Sequence, residues 1–134
     1  MARQSRTFKL RLSPSGMDLL IEAHCHLICS TRSLLAWGTT LQVAVENLDL
    51  VPAAAVAQRL KELATAGLSG REEHHLGAPR GVNETAARIA GRVQQLTGGD
   101  APTILSIYIA ALYQVRQAEP LLLRDLHARV RGVR

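Results

Sequence analysis

The chain has 134 residues, 47% of them apolar, enough to build the core of one compact domain or two very small ones. Only four residues are aromatic, so Leu, Ala, Val and Ile must fill that core, and no apolar run approaches a membrane span. The net charge of +5 favours anionic partners such as nucleic acid or an acidic protein surface. Two cysteines, Cys25 and Cys29, four residues apart, read as reduced thiols rather than a disulfide framework. With a basic N-terminus that lacks the apolar centre of a signal peptide, these features predict a soluble, cytoplasmic protein.

Residues 6–12 alternate polar and apolar side chains, which predicts a strand with Phe8, Leu10 and Leu12 on one face and Thr7, Lys9 and Arg11 on the other. No second strand of similar quality is visible nearby. A lone strand cannot satisfy its own backbone, so pairing with the same strand of another copy is expected. Ser13 and Pro14 then cap and open a helix over 14–28, with Met17, Leu20, Ile21, His24, Leu27 and Ile28 on its stripe. Cys29 to Ser33 reads as a tight turn. Ser30 or Thr31 would cap a second helix, about 32–48, that turns Leu34, Gly38, Leu41, Val45 and Leu48 inward.

Pro52 opens a third helix, 52–66, carrying Val56, Leu60 and Leu63 and stopping at Gly67. The polar, glycine-rich stretch 67–83 is expected to be a linker or mobile loop. Asn83 would cap a helix over 84–97, and Gly98-Gly99-Asp100 would end it and cap the next, 101–117. The run 104–112 is apolar nearly all round, so that helix must be buried inside this chain or against another. A last helix starts at Glu119-Pro120, with Leu121, Leu122, Leu123, Leu126 and Val130 above a basic face. Residues 17–46 and 86–115 echo one another as helix, polar turn, helix, with Leu20 and Leu27 set against Ile89 and Leu96.

Basic strand, proline-marked turn, amphipathic helix, Ser/Thr/Arg turn and second helix together resemble the ribbon-helix-helix (MetJ/Arc) family of DNA-binding proteins. The residues are Phe8-Lys9-Leu10-Arg11-Leu12-Ser13-Pro14, Leu19-Leu20-Ile21-Glu22-Ala23 and Ser30-Thr31-Arg32-Ser33-Leu34-Leu35, within roughly 6–48. The resemblance implies a mainly α fold: a DNA-binding module over 1–50, with a strand paired across a dimer, and a helical extension over 51–134. It implies a dimer core of Phe8, Leu10, Leu12, Leu20, Leu34 and Leu41. Thr7, Lys9 and Arg11 would meet base edges, where Lys and Arg suit guanine. Ser30, Thr31, Arg32 and Ser33, at the start of the second helix, would meet a phosphate. Arg3 and Arg6 would add sequence-independent contacts.

Similar modules with helical extensions or tandem copies occur in accessory proteins of plasmid conjugation, TraY-like and mobilisation proteins among them. An accessory role at an origin of transfer is therefore the expected function, with a relaxase or similar partner on the C-terminal helices. A transcriptional repressor, autoregulatory or antitoxin-like, is the alternative. In a third reading the chain is a helical interaction module whose strand merely zips a dimer and whose arginines solvate it. His24, Cys25, His26 and Cys29 do not share a helix face as a metal set, and no phosphate loop, nucleophile elbow or paired acids are present. No metal, cofactor or catalytic residue is expected.

Overall fold

The computed structural model describes residues 6–79 and 81–132, with side chains from Lys9 onward except Ala78. The predicted strand is present as β1 (Arg6–Leu12). Leu10 and Leu12 are fully buried, while Lys9 and Arg11 are exposed, so the expected register holds at these four positions. Ser13 accepts a hydrogen bond from the Gly16 N–H at 3.1 Å, and with Pro14 at the first position it starts α1 (Pro14–Thr31). The helix buries Leu19, Leu20, Ala23, His24 and Leu27; Ile21, expected on that stripe, faces outward.

The stretch expected to be a loop contains a second strand, β2 (Glu72–Ala78). It pairs antiparallel with β1, from Arg6 opposite Ala78 to Leu12 opposite Glu72. The expectation that β1 needs a second copy is therefore corrected: its backbone is satisfied within the chain. The approach to β2 is tight. Ser13 donates to the Leu68 carbonyl and Gly70 to that of Arg11, and a Cβ on Gly16 would stand 2.1 Å from the Leu68 oxygen.

Five further helices follow α1 through the chain: α2 (Trp37–Asp49), α3 (Ala53–Leu63), α4 (Val82–Thr97), α5 (Ile104–Val115) and α6 (Pro120–Gly132). The elements fall into two halves of like order, β1-α1-α2-α3 and β2-α4-α5-α6, which the antiparallel register and the reciprocal helix contacts relate in a two-fold manner. Lys9 faces His75 at the middle of the ribbon, and the same shift of 66 carries Arg32, which ends α1 in the left-handed conformation, onto Gly98, which ends α4 likewise. It also carries buried Leu19, Leu20, Ala23, His24 and Leu27 onto buried Thr85, Ala86, Ile89, Ala90 and Val93. Beyond the turn the shift is 67. It takes the cap at Ala36 to Thr103, buried Leu41, Ala44, Val45 and Leu48 to Tyr108, Ala111, Leu112 and Val115, and Val56 to Leu123.

Packing is reciprocal in the same way. Helices α2 and α5 lie against each other at the centre; α1 packs on α5 and α6, as α4 packs on α2 and α3. The echo expected from sequence is thus present but in a different frame: Leu20 matches Ala86 rather than Ile89. The apolar helix is enclosed by this chain's own helices, and one buried cluster joins Leu10, Leu20 and Leu41 with Val93, Ile107 and Leu123. The segments 1–50 and 51–134 share that cluster.

Caps differ from expectation where a hydroxyl or amide has a better partner. Asn83 does not cap α4, which begins after Gly81 (φ 92°); its side chain accepts a 2.5 Å hydrogen bond from the Tyr108 hydroxyl. Burial, and then the charge of Glu84, push that hydroxyl up to about 12. Asp100 does not cap α5; Thr103 does, accepting from the Ser106 N–H at 3.1 Å.

His24 is buried, stacks on Trp37 with ring centroids 3.8 Å apart, and shares a 2.7 Å hydrogen bond with Thr40 through Nδ1. Burial holds its pKa below the usual 6.5, and burial followed by the Arg131 charge does the same to His127. The folded chain therefore keeps both rings neutral where the unfolded chain takes up protons. Stability is expected to be full above about pH 7 and to fall as the pH drops through 6.5. Urea melts at pH 7.5 and 5.0 test this: the midpoint should be lower at 5.0, and the difference smaller in His24→Gln. An equal midpoint at both values contradicts it.

Candidate nucleic-acid interface

The outward face of the ribbon carries Lys9 and Arg11 from β1 and Glu73, His75 and Gly77 from β2, all exposed. Arg11 stands directly opposite Glu73, with Nε 3.2 Å from Oε2, and Lys9 reaches the other carboxylate oxygen at 3.7 Å. These side chains are between two-fifths and three-fifths exposed, so each ion pair is weak and screened by salt. Beneath the face, Leu10, Leu12 and Leu76 anchor the ribbon on the helices. Thr7 pairs with Gly77 and Phe8 with Leu76 in the backbone register; their side chains, that of Arg6, and the whole of Arg3 lie outside the described residues.

The Ser30–Ser33 turn does not start the second helix. Ser30 and Thr31 are the last residues of α1, and Arg32 is its left-handed C-cap. Thr31 Oγ1 donates to the Leu27 carbonyl at 2.8 Å, Ser33 donates to the Thr31 carbonyl, and the buried Ser30 accepts from Arg124 Nε at 2.9 Å through its carbonyl. A helix C-terminus presents carbonyls and the negative end of the dipole, so the phosphate role expected for these residues loses its physical basis. Leu34, expected in a dimer core, is almost fully exposed at 94% for the same reason: it lies in the turn before α2. Leu10, Leu12, Leu20 and Leu41 are core residues, but of this chain's own core.

The second helix begins one turn later, after Ala36, and its start is pressed on the ribbon. A Cβ on Gly38 would lie 1.6 Å from the Gly77 carbonyl oxygen. In the other half, α5 starts after Thr103, the counterpart of Ala36 in sequence, but does not pack on β1 to a like extent. Sequence reading missed Glu73 and His75, because Glu72 to Ala78 contains a single large apolar residue, Leu76, and no polar–apolar alternation marks it as a strand.

Elsewhere, His26 Nε2 lies 2.9 Å from the Ala118 carbonyl, and Cys25 and Cys29 are free and exposed. Among the described residues no three His, Cys, Asp or Glu side chains gather as a metal set. No family model, curated protein or solved structure matches the chain.

Proposed function

We propose that the chain binds double-stranded DNA in the manner of ribbon-helix-helix proteins, with both strand–helix–helix units supplied by one chain. The observation that supports this most is the two-stranded ribbon itself, with Lys9 and Arg11 exposed on one face and Leu10, Leu12 and Leu76 buried on the other, above two-fold-related helices. Such a ribbon has the width to enter a major groove. Lys9 and Arg11 donate to guanine O6 and N7 once they leave the Glu73 carboxylate. Because β2 offers Glu73, His75 and Gly77 where β1 offers Thr7, Lys9 and Arg11, the site read is not a palindrome.

Within this reading an accessory role at an origin of transfer in plasmid conjugation or mobilisation comes first, possessing a relaxase-like partner, and transcriptional repression second. A reading without nucleic acid draws on one observation, that Glu73 already engages both cations of the face. Mobility shifts with a random duplex pool at low salt separate the two. Binding that weakens steeply as salt rises, with one non-palindromic sequence enriched on selection, is the expected result. No binding to any duplex at low salt overturns the proposal.

A further inference from the structure

The halves match in shape but are opposite in charge where they meet. On one side, Arg116 at the end of α5 donates to Glu22 of α1, Nη1 to Oε1, at 2.8 Å. On the two-fold-related side, Asp49 at the end of α2 accepts from Arg88 of α4, Nη2 to Oδ2, at 3.1 Å, and from Arg92. Arg88 is the counterpart of Glu22 at the shift of 66, and Arg116 that of Asp49 at the shift of 67. The same helix-to-helix bridge thus occurs twice with its signs exchanged. The ribbon adds a one-sided pairing: Glu73, which holds Lys9 and Arg11, stands where β1 has the neutral Thr7.

We propose that these exchanged charges match each half to the other and mismatch it to its own kind, so that like halves of two copies do not pair. If the first half paired with the first half of another chain, Glu22 would face Asp49, and Lys9 would face Lys9 at the ribbon centre. If second halves paired, Arg88 and Arg92 would face Arg116. Each alternative replaces attraction by like-charge contact, whereas a reciprocal swap of halves keeps the native bridges and is opposed by the tether alone.

The full chain tests this without DNA. After refolding from denaturant at low salt, light scattering should find the wild type at 14.5 kDa. Asp49→Arg with Arg116→Glu makes both intrachain bridges repulsive and both self-pairings attractive. Its monomer fraction is expected to fall about ten-fold in favour of dimer, each exposed pair being worth a few-fold, and the effect should fade in molar salt. Adding Glu22→Arg, Arg88→Glu and Arg92→Glu should restore the monomer. This compensated variant keeps the test decisive if the double variant unfolds, since recovery then supports the pairing and no recovery overturns it. A double variant that stays monomeric with an unchanged melting temperature also overturns it.

Discussion

Replacing Lys9 and Arg11 together by alanine is expected to weaken duplex DNA binding about a hundred-fold, each well-placed base contact being worth roughly 1–3 kcal/mol. The slope of log affinity against log salt should become shallower by about two if both cations also displace counterions. The fold should be unaffected, since both side chains are exposed and, among the described residues, pair with Glu73 alone. Glu73→Gln acts on the same face in the opposite direction. It frees both cations without moving the strand and is expected to tighten binding about five-fold at low salt, because a weak exposed bridge no longer has to be broken. Fluorescence anisotropy of a labelled duplex, titrated at several salt concentrations, measures all three proteins. Equal affinity for wild type and the Lys9/Arg11 double variant would remove the ribbon from the interface, and weaker binding by Glu73→Gln would make that carboxylate a contact rather than a competitor.

Gly38→Ala is expected to destabilise the chain by about 3 kcal/mol, at the upper end of overpacking costs, and to lower the thermal midpoint by roughly 10 °C. In an ordinary helix this exchange stabilises by up to about 1 kcal/mol, since alanine is the better helix former. Here the new methyl would sit 1.6 Å from the Gly77 oxygen and 2.8 Å from its carbon, both backbone atoms, so α2 or β2 must move. Gly91→Ala, within α4, is the matched control: nothing lies within 4 Å of the added Cβ, and a small rise in midpoint is expected. Calorimetry on the two variants should show shifts of opposite sign. A Gly38→Ala protein as stable as the wild type would mean that the helix is not pressed on the strand.

Where sequence alone sufficed, local chemistry and burial agreed. Ser13-Pro14 marks a helix start, and the alternation of residues 6–12 places Leu10 and Leu12 inside. The second strand was hidden because it owes its place to pairing with β1 and to the Gly38–Gly77 contact rather than to its own composition. The Ser30 turn misled because a hydroxyl beside a turn suits a cap, yet Thr31 bonds back to Leu27 and extends α1. The repeat left its trace in which positions are buried. Aligned at the observed shifts, Leu10 and Leu76, Thr31 and Thr97, and Ala44 and Ala111 are identical, and most other pairs differ in size or charge. The candidate interface suffered most, since half of the ribbon's outward face belongs to the strand that was not visible.

Because β1 and β2 are tethered through α1–α3 and the link 64–71, they meet at a local concentration set by the chain and not by the solution. A ribbon assembled from two copies comes apart on dilution, and every substitution in it is made twice. Here dilution has no hold on the strand pair, and a change at Lys9 leaves His75 as it was. Each side of the ribbon is free to vary alone.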